Sequence, residues 1–208
     1  MNGNPVRGRL NAAVLRGADR YAHHLLGRRK RELFAGLPST VVEIGPGTGA
    51  NLRYYPAGTR LVAVEPNPYM HKPLLAAARR RGIEVELRAE GAERIGLPDA
   101  SADAVVSTLV LCTVPDPAAA VREIGRILRP GGRLIFIEHV RADARGGYAA
   151  VQSLLARPWR WFFEGCEVGR DTERLLRGAG FAELAVDRYR LASVLVPINP
   201  QIAGVARR

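Results

Sequence analysis

Residues 40–65 read TVVEIGPGTGANLRYYPAGTRLVAVE, which is an apolar run, a loop with three glycines, and a second apolar run that ends in an acid. Short β-branched runs of this kind are typical of strands covered on both faces. Glycine allows a tight turn and close approach to a ligand, and a helix start behind the loop offers free N–H groups. The stretch therefore predicts a strand, a ligand-binding loop, a helix through about Tyr54 and a second strand.

The same alternation of strand and helix continues along the chain. Strands are predicted at residues 41–44, 60–65, 84–88, 104–109 and 133–138, and helices at 68–81, 117–128 and 172–179. Alternation of this kind is built by parallel crossovers, so the fold class is α/β with a Rossmann-like doubly wound sheet. Residues 183–190 and 202–207 alternate like paired strands and predict an antiparallel finish.

Composition narrows the class of protein further. The chain has 208 residues, 47% of them hydrophobic, and a net charge of +11, which is ample for one domain, 1–208. It has no apolar run of about 20 residues and no secretory signal, so we expect no membrane span and a cytoplasmic location.

The two cysteines of the chain have no CxxC spacing, which argues against a disulfide framework or a metal site. The basic runs 28–31 and 79–81 are interpreted as solvated helix faces rather than a nucleic-acid surface.

The first 36 residues show apolar positions near helical spacing and no strand signal. These positions are Leu10, Val14, Leu15, Ala18, Tyr21, Leu25, Leu26, Leu33 and Phe34. We expect residues 1–36 to form one or two amphipathic helices that act as a lid on a sheet core of residues 40–208.

The glycine loop fits two classes of cofactor, because its spacing also satisfies the dinucleotide pattern GxGxx[GA]. Glu65 follows 20 residues after Gly45, where a carboxylate would accept both hydroxyls of a ribose in either class. Glu43, inside the first strand, distinguishes the two. A carboxylate repels a pyrophosphate but attracts the sulfonium and ammonium groups of S-adenosylmethionine (SAM), which is therefore the expected cofactor.

Several motifs together resemble the class I SAM-dependent methyltransferases from about residue 40 to 181. They are EIGPGTG at 43–49, VEPN at 64–67, GAE at 91–93 before LP at 97–98, DAVVS at 103–107 and LRPGG at 128–132. The resemblance implies a seven-stranded, mostly parallel sheet with one antiparallel strand. It also implies roles for the cofactor-binding residues Glu43, Gly45, Gly47, Gly49, Asn51, Glu65, Pro66, Asn67, Ala92, Glu93, Thr108 and Leu109. Among these, the glycines and Thr108 and Leu109 would lie by the methionine part of SAM, and residues 66–67 and 92–93 would border its adenine.

A narrower set of motifs resembles the animal methyltransferase-like proteins that S-methylate alkyl thiols, and their bacterial relatives. The set includes YYP at 54–56, STLVLC at 107–112, IEHV at 137–140 and FEGC at 163–166. It implies methyl transfer to a small, largely apolar acceptor, most simply a thiol. The alternatives are a C-, N- or O-methyltransferase of a quinone, lipid or secondary metabolite, a SAM-binding module without activity, and an NAD-dependent oxidoreductase. The motifs give no indication of oligomeric state.

Candidate catalytic and acceptor-binding residues lie near the carboxyl ends of the last strands, where open α/β sheets bind ligands. His139 follows the fifth predicted strand and is the candidate base, since histidine can take a proton near neutral pH. Cys112 and Cys166 are expected either in the acceptor pocket or as buried thiols. The insertion at 141–170 contains Trp159, Trp161, Phe162 and Phe163, interpreted as core or as an apolar wall for the acceptor. No metal is expected.

Overall fold

The computed structural model describes residues 5–143 and 147–208. The strands are β1 (Thr40–Ile44), β2 (Arg60–Val64), β3 (Glu84–Arg88), β4 (Ala102–Thr108), β5 (Leu128–His139), β6 (Glu183–Arg190) and β7 (Pro200–Arg207). The α-helices are α1 (Pro5–Phe34), α2 (Pro68–Arg79), α3 (Pro117–Ile127), α4 (Gly147–Phe162) and α5 (Thr172–Arg177). Every predicted strand and helix between residues 60 and 207 is present, with boundaries moved by a few residues.

The seven strands form one sheet in the order β3-β2-β1-β4-β5-β7-β6. The pairs β1/β2, β2/β3, β1/β4 and β4/β5 are parallel, whereas β7 is antiparallel to both β5 and β6. The predicted doubly wound, mostly parallel sheet with one antiparallel strand is therefore confirmed.

Each face of the sheet carries its own apolar core, because successive side chains of a strand point to opposite faces. Val42 and Ile44 of β1 pack in a core with Ile124 of α3. Val41 packs on the other face with Leu74 of α2. Coverage on both faces explains why the central strands are apolar at almost every position.

The sheet has one topological switch point, between β1 and β4. The chain proceeds outward from β1 to β2 and β3, then returns to the opposite side of β1 to begin β4. Ligands of open α/β sheets bind at the carboxyl ends of strands at such a point. The glycine loop leaves β1 there, so the fold places it where a cofactor would bind.

The predicted helix behind the glycine loop is reduced to turns and one 3₁₀ turn, Leu52–Tyr54. Gly49 has φ +91°, which no right-handed helix contains, so a helix can begin only after it. Tyr55 precedes Pro56 and is extended at φ −86°, ψ 139°, as a residue before proline prefers. The stretch of chain between Gly49 and Tyr55 is too short for an α-helix.

Helix α1 is a single helix of 30 residues. Its second half packs on the domain, with Leu26 and Phe34 buried at 3% and 4% exposure. Leu10 and Tyr21, predicted on the apolar face, are instead 47% and 37% exposed. A helix of this length extends about 45 Å, farther than the body of a domain of this size, so its first half has less to pack against. Residues 1–4 of the predicted lid lie outside the described residues.

The segment after β5 contains α4 and the loop that leads to α5. Gln152 of α4 is buried and donates to the carbonyl oxygens of Val140 and Pro197, which ties the helix to the end of β5. Of the predicted insertion 141–170, residues 144–146 are outside the described part of the chain. Among residues 5–143 and 147–208, no helix combines the length and apolar character needed to cross a bilayer.

Candidate functional site

The three glycines of the loop all have a positive φ, of +57° at Gly45, +57° at Gly47 and +91° at Gly49. A Cβ on Gly45 would lie 2.6 Å from Cγ2 of Val110, and one on Gly49 would lie 2.6 Å from Cδ1 of Leu52. A Cβ on Gly47 would meet no atom within 4 Å. Two of the glycines are therefore required by packing, and the third lies against open space.

Glu65 follows β2 directly and joins the glycine loop to α2. Its Oε2 accepts the N–H of Gly47 at 3.0 Å, and its Oε1 accepts the N–H of Asn67 at 2.9 Å. Burial raises the pKa of this carboxyl, and the two backbone N–H groups oppose that shift. Because each carboxylate oxygen can accept more than one hydrogen bond, both retain capacity for a hydroxyl. The predicted position of Glu65 beside the loop is confirmed.

Glu43 and Asn51 lie together beneath the loop. The Nδ2 of Asn51 donates to Oε1 of Glu43 at 2.7 Å and to Oγ1 of Thr108 at 3.1 Å. Oε2 of Glu43 accepts the hydroxyl of Tyr55 at 2.8 Å. Both Glu43 oxygens thus have protein donors, so within the protein Glu43 supports the side chain of Asn51.

Asn51 carries the unsatisfied acceptor of this group. Its side chain is 4% exposed, and its Oδ1 has no hydrogen-bond partner among the described residues. A buried amide oxygen without a donor costs free energy, so the geometry favours a ligand donor at this point. Burial also raises the pKa of Glu43 to about 7.

Lys30 is a residue of this region that the sequence interpretation missed. It is 4% exposed, and burial lowers its pKa to about 8, while the charge of Glu43 opposes that shift. The interpretation of residues 28–31 as a solvated face is therefore wrong for Lys30. Leu26 and Phe34 lie four positions on either side, so helical periodicity alone places all three on the buried face of α1.

The residues predicted at the adenine edge fall into three environments. Asn67 is buried, and its Oδ1 accepts the N–H of Tyr69 at 3.0 Å, which caps α2. Pro66 is exposed, and Ala92 is buried. Glu93 is half-buried, and its Oε1 accepts the N–H of Asp116 at 3.3 Å. The Asn67 amide and the Glu93 carboxylate thus both have structural partners of their own.

The end of β4 turns through a strained residue. Leu109 has φ +57°, which is rare for a bulky side chain and persists only where the surroundings enforce it. Glu138 provides part of that enforcement, because its carboxylate accepts the Ser107 hydroxyl at 2.6 Å and the N–H of Val110 at 3.0 Å. Burial raises the pKa of Glu138 to about 7. The turn holds the chain that leads from Thr108 to Cys112.

Cys112, His139 and Cys166 converge into one buried group at the carboxyl ends of β4 and β5. The Nε2 of His139 lies 3.1 Å from the sulfur of Cys166, and the two sulfurs are 3.6 Å apart. The hydrogen bond between the two sulfurs is the largest cause that lowers the pKa of Cys166, followed by those with His139 and Trp159. The same sulfur–sulfur contact, together with burial, raises the pKa of Cys112. The Nδ1 of His139 is buried with no partner among the described residues.

The aromatic residues of α4 divide into two sets. The indole N–H of Trp159 donates to the Cys166 sulfur at 3.3 Å, and its ring lies 4.3 Å from that of Phe163. Phe162 packs on Phe163 at 4.8 Å. Trp161 is 68% exposed and lies outside this group, because it occupies the outer face of α4. Trp159 therefore contacts the Cys166 sulfur directly, while Phe163 packs on Trp159 and Phe162 packs on Phe163.

The seven-stranded sheet, with β7 antiparallel between β5 and β6, matches the class I methyltransferase fold. The structure agrees with that of a SAM-dependent methyltransferase from Aquifex aeolicus, with a TM-score of 0.66, 16% identity and coverage of 94% of this chain and 97% of that one. The family described as "Methyltransferase domain" matches residues 42–136. These two matches give the fold and the domain type of the chain.

Two human proteins are similar over most of the chain. Thiol S-methyltransferase TMT1B of Homo sapiens is 37% identical over 190 residues, which cover 86% of this chain and 78% of that protein. Thiol S-methyltransferase TMT1A of Homo sapiens is 35% identical over 192 residues, with 87% and 79% coverage. At this identity and coverage, the chain belongs to the methyltransferase family that contains these two proteins. The protein is therefore a SAM-dependent methyltransferase, and SAM is its cofactor.

Proposed function

We propose that this enzyme transfers the methyl group of SAM to a small, largely apolar thiol. The observation that carries the proposal is the 37% identity, over 86% of the chain, to a protein named a thiol S-methyltransferase. The reaction consumes a thiol and SAM and yields a methyl thioether, S-adenosylhomocysteine and a proton.

The loop residues provide the groups that SAM requires. Glu65 would accept the ribose hydroxyls, and the open space at Gly47 would admit the methionine part. The unsatisfied Oδ1 of Asn51 would accept a hydrogen bond from the ammonium group of SAM. Glu43 would hold the Asn51 side chain in place by accepting its Nδ2. Thr108 and Leu109 would border the methionine part, with residues 66–67 and 92–93 at the adenine. SAM supplies a methyl group on a positively charged sulfur, which an acceptor displaces in line.

The acceptor would lie at the ends of β4 and β5, beside Cys112, His139 and Cys166. This place is close to the glycine loop. Asn51 of the loop region donates to Thr108, and Cys112 follows Thr108 by four residues. Trp159 and Phe163 would provide the apolar wall. His139 is the catalytic candidate, and its role is to favour the thiolate form of the acceptor sulfur.

A thiol needs less activation than an alcohol. With a pKa of about 8.5, a few per cent of a thiol is already thiolate at neutral pH, and thiolate is intrinsically nucleophilic. A buried pocket of low dielectric constant also strengthens its attraction to a sulfonium. The paired carboxylate and histidine that an alcohol would need has no counterpart among the described residues around His139.

Helix α1 would act as a lid, because it packs across β5 through Leu26 and pairs Arg29 with Asp187 of β6.

The enzyme would work in the cytoplasm, where free cysteines such as its own are usual. It would act on small molecules rather than on nucleic acid, since its arginines are scattered through the sequence.

The test is methyl transfer from isotopically labelled SAM to acceptors that share one carbon skeleton. Propane-1-thiol should be methylated, whereas propan-1-ol and propan-1-amine should not. His139→Ala should lower kcat for the thiol by about 100-fold. His24→Ala, which removes an exposed histidine of α1, should leave kcat unchanged.

Turnover of an amine, a quinol or a lipid headgroup, with none of the thiol, would assign the enzyme to another acceptor class. Binding of S-adenosylhomocysteine without methylation of any acceptor in the panel would contradict the proposed reaction as a whole.

A further inference from the structure

Cys112, His139 and Cys166 come from three separate segments of the chain. They lie after β4, at the end of β5 and after α4, yet their sulfur and nitrogen atoms all lie within 4.8 Å of one another. All three residues are buried, at 1%, 2% and 7% exposure. Two thiols and an imidazole are the donor set that Zn²⁺ prefers in proteins.

The distances match those of a tetrahedral zinc site. Zn–S bonds of about 2.3 Å and Zn–N bonds of about 2.0 Å place two sulfurs about 3.8 Å apart and a sulfur and nitrogen about 3.6 Å apart. The sulfurs of Cys112 and Cys166 are 3.6 Å apart, and Nε2 of His139 is 3.1 Å from the Cys166 sulfur. The distance from Nε2 to the Cys166 sulfur would lengthen by about 0.5 Å on binding the ion. The third pair, the His139 ligand atom and the Cys112 sulfur, lies within 4.8 Å.

The number of ligands distinguishes a structural site from a catalytic one. Structural zinc sites are closed by four protein ligands, whereas catalytic sites have three and keep one position for water or substrate. Only these three candidate ligands cluster in the described part of the chain. The Trp159 indole N–H, 3.3 Å from the Cys166 sulfur, provides the type of outer hydrogen bond that orients and stabilises a metal-bound thiolate.

We propose that Cys112, His139 and Cys166 bind one Zn²⁺, whose open position takes the acceptor thiol as a thiolate. This inference rests on the thiol acceptor proposed above. His139 then acts as a ligand through Nε2 and not as the proton acceptor that the sequence suggested. Sequence spacing gave no sign of the site, because none of the three ligands is a local neighbour of another.

Zinc would act by binding the acceptor sulfur. The thiol releases its proton to solvent as the sulfur binds the ion, since metal ligands bind deprotonated. That sulfur then forms the new bond to the methyl carbon, while the bond from this carbon to the sulfonium breaks and its electron pair stays on the departing sulfur. The product thioether is neutral, binds zinc more weakly than a thiolate, and leaves. Zinc remains Zn²⁺ throughout.

The experiment uses Co²⁺ as a spectroscopic substitute for zinc in the full chain, under a phosphine reductant. One equivalent should give the visible bands of a tetrahedral ion and a sulfur-to-cobalt charge-transfer band. Cys112→Ser and Cys166→Ser should each lose the charge-transfer intensity of one sulfur, with at least 10-fold weaker binding. His139→Gln should bind more weakly too, and His24→Ala should match the wild type.

Acceptor binding is tested in the same sample. Propane-1-thiol should strengthen the charge-transfer band, because a third sulfur joins the ion, whereas propan-1-ol should not. The protein purified without chelator should also contain about one zinc per chain by elemental analysis. If the serine variants fail to fold, the wild-type cobalt titration and the thiol addition still decide the question.

Three results would overturn the zinc site. One is folded wild-type protein with two titratable thiols and no tetrahedral cobalt spectrum. Another is a Cys112–Cys166 disulfide in the protein as isolated, with no metal bound after reduction. The third is a chelated, zinc-free enzyme that methylates propane-1-thiol at the full rate, which would leave the proposed function intact. Metal binding without methylation of any thiol would instead support the site and contradict the thiol function.

Discussion

Gly47 combines a left-handed backbone with open space at its Cβ position. Gly47→Ala should therefore cost about 1 kcal/mol of stability through its backbone alone. If SAM occupies that space, the added methyl should weaken S-adenosylhomocysteine binding by at least about 10-fold, which is 1.4 kcal/mol. Calorimetry for binding and thermal unfolding without ligand measure the two effects.

Gly58 is the matched control for this prediction. It has φ +82° and no atom within 4 Å of its Cβ position, but it lies in the turn before β2. Gly58→Ala should show the same backbone cost with unchanged binding. Equal affinities in the two variants would mean that the cofactor does not approach Gly47.

Glu65 offers a second test at the level of one side chain. Glu65→Ala removes a charged acceptor for two hydroxyls and should cost about 1.5–3 kcal/mol of S-adenosylhomocysteine binding for each bond lost. The substitution also frees the N–H groups of Gly47 and Asn67, so a loss of affinity alone is ambiguous. Comparing adenosine with 2′-deoxyadenosine resolves this ambiguity. The wild type should prefer adenosine, the variant should bind both alike, and a preference retained in the variant would refute the ribose assignment.

At the level of elements, helix α1 contacts the domain along its length, from Arg9 over the Tyr69 ring of α2 to the buried Leu26 and Phe34. Asp19 pairs with Arg53, and Nδ1 of His23 lies 2.5 Å from the hydroxyl of Tyr54, both in the 3₁₀ turn behind the glycine loop. Deleting residues 1–30 removes these contacts but leaves the sheet, which begins at Thr40. The truncated protein should still unfold cooperatively, while its turnover falls by about 10-fold or more because the site is open to water.

A shorter deletion tests whether the part of α1 that contacts the glycine-loop region is the part that turnover requires. Deleting residues 1–18 keeps Asp19, His23, Leu26 and Lys30 but removes the contact of Arg9 with Tyr69 of α2. Its turnover should therefore stay well above that of the 1–30 deletion and close to that of the full chain. Turnover by the 1–30 deletion at the rate of the full chain would show that α1 is not a lid.

At the scale of the whole molecule, the buried Glu43 should make global stability depend on pH. Its pKa is about 7 in the folded protein against an ordinary value of 4.5. Between these values the folded protein holds a proton that the unfolded chain has lost, so the free energy of unfolding falls as pH rises. Glu43 should contribute about 1.4 kcal/mol per pH unit to this decline from pH 5 to about 7, where its contribution levels off. Glu138, whose pKa is also about 7, adds to the decline in both the wild type and a Glu43 variant.

Urea unfolding at pH 5, 6 and 7 measures this contribution by difference. Glu43→Gln cannot titrate, so its stability should increase relative to the wild type as pH rises. Glu32→Gln changes an exposed glutamate of α1 and should follow the wild type at every pH. Parallel pH profiles for Glu43→Gln and the wild type would mean that Glu43 stays ionised in the fold.

The sequence by itself determined the fold class and the location of the cofactor loop. Both depend on short-range signals: apolar periodicity distinguishes strand from helix, and glycines and prolines mark the turns. Once β1 and β2 are parallel neighbours, the interval from Gly45 to Glu65 necessarily puts the acid beside the loop. Glu65 therefore lies beside the loop, as the pattern predicted, and the structure adds its hydrogen bond from the N–H of Gly47.

Only the tertiary structure decided which distant side chains meet. Cys112 and Cys166 are separated by 54 positions, and Lys30 reaches the surroundings of Glu43 from another element. Periodicity assigns a residue to a face, but the path of the intervening loops decides what that face meets. The same limit explains why Trp161 is exposed although Trp159, two positions earlier, contacts the Cys166 sulfur. Contacts between remote segments depend on how the sheet and helix layers pack against one another. A local sequence pattern does not contain that information.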